Sequence, residues 1–253
     1  MEALIAFAGL LFACALPCVA AGENASLPVL RHLVFDIRSS STLRQDRRRS
    51  GLSYLDPGTQ QMVNPTGGNY DTISVSSRNL GQLIVDVIAA TQDGGLVVDA
   101  TLDGDTTKMG KTRIAIFPDG RLSYNPSLDL PPEVLRVLPL LGRRVVTGHD
   151  VGDTWTVPLP GKNVKGENDF RITGEAPGDN LNVELQTSMQ VSGYPHVDES
   201  SRTMSVYSPR LTVPMKVSFT GLIHKEDSGA SQSLQTINLT VDATLVQDSF
   251  AKK

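Results

Sequence analysis

The segment Leu181-Asn-Val-Glu-Leu-Gln-Thr-Ser-Met189 decides the fold class. In it Leu181, Val183, Leu185, Thr187 and Met189 alternate with Asn182, Glu184, Gln186 and Ser188. Successive side chains of a strand point to opposite faces, so a period of two means a half-buried β-strand. The period returns at Met204 and Val206, from Leu211 through Val213, Met215 and Val217 to Phe219, and from Ile237 through Leu239, Val241 and Ala243 to Leu245. Upstream, Leu33, Phe35 and Ile37 begin the series, and short segments follow at Thr72 to Ser76 and at Gln82 to Thr91. In the latter, Leu83, Val85, Val87 and Ala89 share one face. Gln92-Asp-Gly-Gly95 and Pro118-Asp-Gly120 then join alternating runs, and Asp-Gly is a strong hairpin signal because glycine accepts the positive φ such turns need.

One stretch breaks the pattern. Asp129-Leu-Pro-Pro-Glu-Val-Leu-Arg-Val-Leu138 has an acidic candidate cap, prolines in a first turn where a missing N–H costs nothing, and Val134, Leu135, Val137 and Leu138 as apolar positions. Pro139 disfavours helical geometry at Leu138, and Gly142 lies just beyond. The expected helix covers about residues 131–141. It is too short to be stable alone, so it must pack on strand faces such as Leu211 to Phe219. The predicted fold is all-β: an antiparallel meander forming a curved sheet or half-barrel with this helix packed on it. A two-sheet β-sandwich is the alternative.

From Ala3 to Ala21 no residue is charged, and Val19-Ala20-Ala21 before Gly22 suits a signal-peptidase site. Residues 1–21 therefore read as a signal peptide, although no positive residue precedes the apolar core. An uncleaved anchor is the competing reading of this segment. Leu11-Phe-Ala-Cys14 has the outline of a lipoprotein box, with Phe12 too bulky for it. Residues 22–253 read as a single antiparallel β domain with a long polar loop at about 39–69, holding an edge hairpin around Ser53 to Val63. Both cysteines, Cys14 and Cys18, precede the expected cleavage point, so the mature chain would carry no disulfide and no thiol chemistry. Asn24 and Asn238 begin sequons for N-glycosylation.

The composition is 40% hydrophobic and 20% charged, which excludes disorder and coiled coil, and the net charge of -4 gives no support to nucleic-acid binding. No nucleophile elbow, zinc-protease helix, phosphate loop or dinucleotide fingerprint is present. Two clusters combine histidine with acids: His149-Asp150 with Asp153, and His196-Val-Asp-Glu199. Both read as solvated loop groups rather than metal or acid/base sites. Asp103-Gly-Asp105 lacks the spaced series of a calcium loop and reads as turn aspartates. The most distinctive surface feature is basic. Arg38, Arg44, Arg47, Arg48 and Arg49 form a candidate anion-binding patch, because guanidinium groups bind phosphate and sulfate bidentately. No cofactor and no metal is expected.

In layout alone this plan resembles periplasmic lipid-carrier and lipoprotein-like half-barrels, where a curved sheet holds a helix in its concavity. The resemblance implies a hydrophobic ligand and carries over no residues. The expectation is an exported, non-enzymatic envelope or secreted protein that binds a hydrophobic ligand or a protein partner such as an envelope component. A structural or adhesive domain with a solid core is the alternative, and a hydrolase whose site converges only in space is the second.

Overall fold

The computed structural model describes residues 28–48, 54–55, 62–63, 70–125, 127–128, 130–142, 146–159, 163–193, 196–227 and 233–250. The expected signal segment, both cysteines, Asn24 and Arg49 lie outside these residues.

Eleven strands form one antiparallel sheet with β1 (Arg31–Arg48) and β13 (Ser233–Asp248) paired at its centre. From β1 the sheet runs through β4 (Tyr70–Ala90), β5 (Leu96–Gly104) and β6 (Lys108–Ile116) to an edge at β7 (Leu122–Ser123). From β13 it runs through β12 (Val213–Asp227), β11 (His196–Ser208), β10 (Asn180–Val191) and β9 (Val164–Ala176) to the opposite edge at β8 (Thr154–Pro158). A separate ribbon pairs β2 (Tyr54–Leu55) with β3 (Met62–Val63), where the edge hairpin was expected. The chain thus starts mid-sheet, walks to one edge, crosses to the other and walks back to its start. A single large sheet replaces the sandwich alternative.

The crossing is made by the helix. α1 (Pro132–Val137) continues into a 3-10 turn, Leu138–Leu141, and Gly142 leaves it in extended geometry. Its N-cap is Pro131, with no capping side chain, rather than Asp129, which lies outside the described residues. On a flat sheet β6 and β12 would stand five strand spacings, about 24 Å, apart. The four-residue 3-10 turn touches both, so the sheet must curl around it. Val134, Val137 and Leu138 are fully buried in one core with Leu83, Val85 and Val98 of one flank and Ile172, Val183 and Val217 of the other. Polar bonds fix the helix on both sides. Glu133 Oε1 accepts Ser39 Oγ–H of β1 at 2.5 Å and Asn79 Nδ2–H of β4 at 3.1 Å, and Arg136 reaches Glu199 of β11.

Two sequence expectations need correction here. Residues 39–48 are not loop; they continue β1, paired with β4 along their whole length and with β13 as far as Arg47. Their inward positions include Ser39 and Ser41, small polar side chains without the apolar alternation that marks a strand in sequence. The segments at Thr72 to Ser76 and Gln82 to Thr91 are one 21-residue strand, β4. A register shift between Val87 and Ala89 also turns Ala89 outward and buries Ile88.

Candidate functional site

The helix does not fill the concavity. Between its Leu135, Pro139 and Leu140 and the flank built from β8 to β12 lies a cavity of about 400 Å³. Alternation places the far wall: Leu185 and Met189 of β10 and Phe219 of β12 occupy inward positions, and Val157 comes from the edge strand β8. Leu122 and Tyr124, just past the Asp119-Gly120 turn, close the near side. That turn is a tight hairpin, with Gly120 at φ 85° and Phe117 N–H donating to Arg121 O at 2.8 Å.

Each charge in the lining has its partner in the lining. Arg121 Nε stands 2.7 Å from Asp119 Oδ2. Arg136 Nη2 lies 2.9 and 3.1 Å from the two oxygens of Glu199, and its guanidinium lies 4.4 Å from the centre of the Phe219 ring. Ser201 Oγ–H also donates to Glu199 at 3.1 Å. Glu199 is buried, and this pairing with an aromatic face beneath the cation is what lets a carboxylate sit there. Two further polar groups face the cavity as a unit: Thr187 Oγ–H donates to Asn168 Oδ1 at 2.8 Å.

The candidate residues taken from the sequence fall elsewhere. Arg38 and Arg44 are exposed on one strand and, six residues apart, are separated by about 20 Å. Arg44 pairs with Asp46 at 3.3 Å, and Thr72 holds that carboxylate at 2.6 Å. Arg38 and Arg44 are therefore not brought to one point, and the side chains of Arg47 and Arg48, like Arg49, lie outside what the structure describes. His149 is stacked on Trp155 at 3.7 Å, and Trp155 on Phe170 at 5.3 Å, with Asp153 3.9 Å from the His149 ring. This aromatic stack braces the edge strand. His196 pairs with Asp198 at 3.0 Å, while Glu199, next in sequence, points the other way into the cavity. Asp105 accepts the Leu80 N–H at 2.8 Å, a structural turn contact. Among the described residues no group of three or more His, Cys, Asp or Glu is placed to hold a metal ion.

Asn168, Thr187 and the Arg136–Glu199 pair were not singled out as a site in the sequence. Glu199 belongs with Arg136 and Ser201 rather than with His196 and Asp198, and strand alternation from His196 is the signal that separates it. What the fold and the cavity define together is an open, curved antiparallel sheet whose concavity is part plugged by a helix and part open. A comparison of the sequence with protein-family models and with curated proteins finds no match.

Proposed function

We propose that this is an exported, non-enzymatic binding protein that holds one small hydrophobic ligand between the helix and the β8–β12 flank. The observation that carries the reading is the cavity of about 400 Å³ walled by Leu135, Leu140, Leu185, Met189 and Phe219. Ligand pockets of this kind run from about 300 to 1,000 Å³, so the volume suits one small molecule or one short chain. Export is supported by the uncharged segment from Ala3 to Ala21 and the small residues before Gly22.

Uptake of an apolar fluorescent reporter, N-phenyl-1-naphthylamine, tests the reading. The native chain takes up the reporter in a saturable manner, and Leu185→Trp, which fills the cavity, abolishes uptake without loss of folded structure. Native protein that leaves the reporter in water has a solid core and belongs to the structural or adhesive class. N-terminal sequencing of protein recovered from the export compartment tests the other half, with a start at Gly22 or one residue earlier expected.

A further inference from the structure

We infer that Asn168 sets the specificity of this cavity, and that its ligand is an uncharged, apolar molecule carrying one hydrogen-bond acceptor oxygen, such as a ketone or ester. This rests on the cavity being a ligand site, and it follows from which polar groups in the lining are already satisfied. Arg121 is matched by Asp119 and Arg136 by Glu199, so the lining holds no unbalanced charge. A charged head group buried there would face paired ions of both signs and gain no counter-ion to offset its lost hydration.

The remaining polar partners differ. The Thr187 hydroxyl is committed as donor to Asn168 Oδ1, which fixes the amide with its NH2 turned away from Thr187. Among the described residues that NH2 has no acceptor, and Asn168 lines the cavity directly. Its strand position accounts for this: on β9 it pairs with Val157 on one side and Thr187 on the other, so the apolar neighbour offers it nothing and the hydroxyl uses only its oxygen. A half-buried donor among Val157, Leu185 and Leu135 is left for a ligand: the Tyr124 and Thr203 hydroxyls of the lining can donate or accept and the unpartnered Arg136 Nε–H is fully enclosed, so the Asn168 NH2 is the accessible group that can only donate. Apolar walls supply most of the affinity in such a site, and a single directed donor selects among molecules of one shape.

Two ligands of the same skeleton test this: 2-acetylnaphthalene, which carries the acceptor, and 2-ethylnaphthalene, which does not. The reading is the ratio of their dissociation constants, obtained by displacing N-phenyl-1-naphthylamine, in the native chain, in Asn168→Leu and in Asn168→Asp. The aspartate retains an acceptor for Thr187 and keeps the side-chain shape while removing the NH2 donor, so it serves where the leucine disturbs folding. In both variants the preference for the ketone is expected to fall about fivefold, the worth of one neutral hydrogen bond, while 2-ethylnaphthalene still binds Asn168→Leu. A ratio within twofold of the native value in both variants overturns the role of Asn168 and leaves the cavity as a ligand site. Failure of the native chain to bind either naphthalene overturns the cavity reading itself, and the specificity with it.

Discussion

The guanidinium of Arg31 clasps the carboxylate of Asp248 twice, Nε to Oδ1 at 3.0 Å and Nη2 to Oδ2 at 2.6 Å. Arg31 opens β1 and Asp248 ends β13, so the clasp sits at one end of the seam where the two halves of the meander meet. A third bond, Nη1–H to Leu211 O at 2.8 Å, extends it to the turn before β12. Both side chains are buried, and the Phe250 ring covers the guanidinium at 4.9 Å. Breaking such a pair leaves a desolvated charge without a partner. Asp248→Ala and Arg31→Met are each expected to lower stability by about 3 kcal/mol. The double variant should cost less than the two added together, because the second change removes the charge that the first left stranded. Denaturant midpoints of the three variants and the native chain measure this, and strict additivity would show that the clasp is not a coupled pair.

Acid should loosen the same seam and one more site. At Asp99 the hydrogen bond from Arg113, assisted by Lys111, outweighs burial and holds the carboxyl below the usual carboxylate range. Burial pushes the Asp248 carboxyl upward, but the Arg31 bonds, the Phe250 N–H and the Arg31 charge together bring it below its ordinary value. Both groups therefore have lower pKa values folded than unfolded, so below about pH 4 the unfolded chain binds more protons. Their contribution to stability is present above that range and is lost as pH falls through the folded values. Midpoints measured from pH 7 to pH 2 should fall on the acid side, and Asp99→Asn should show a shallower fall. An equal acid slope in that variant would count against Asp99.

Alternation in Leu33, Phe35 and Ile37 and from Leu211 to Phe219 made the strands and their inward faces readable, because burial imposes a period of two there. The helix was readable from its prolines. The far half of β1 was not. Ser39 and Ser41 face inward because Glu133 of the helix brings a polar group to meet Ser39, a tertiary event that leaves no local pattern. The cavity was hidden for a related reason: Asn168, Thr187 and Glu199 lie on three strands, and only the register of β9, β10 and β11 makes them neighbours.

Glycine at position 81 is a packing requirement rather than a turn requirement. A Cβ there would stand 2.2 Å from Asp103 O and 2.5 Å from Gly104 Cα on the adjacent strand, both backbone atoms that cannot rotate away. Gly81→Ala should destabilise by about 2 kcal/mol through forced separation of β4 and β5. Gly110→Ala, where the added carbon meets nothing within 4 Å, is the matched control and should change stability by less than about 0.5 kcal/mol. Thermal unfolding of the pair decides the matter, and equal effects would refute the close approach.

Two leucines on the crossing segment are expected to behave oppositely. Leu138 has no exposed surface and belongs to the central core, so truncation to alanine leaves a void that the surrounding strands cannot collapse into. Leu138→Ala should cost about 3 kcal/mol and leave uptake of N-phenyl-1-naphthylamine unchanged. Leu135 is half-buried and walls the cavity, so its methyl groups already border open space and their loss creates little new void. Leu135→Ala should cost less than about 1.5 kcal/mol and change reporter affinity several-fold, because the ligand's own wall has moved. The helix is then both plug and wall, with Val134, Val137 and Leu138 on the first duty and Leu135 and Leu140 bordering the second. If Leu138→Ala altered uptake as strongly as Leu135→Ala, the two faces would not be independent. The whole crossing segment would then respond to the ligand as one unit rather than standing as a fixed core with a cavity at its side.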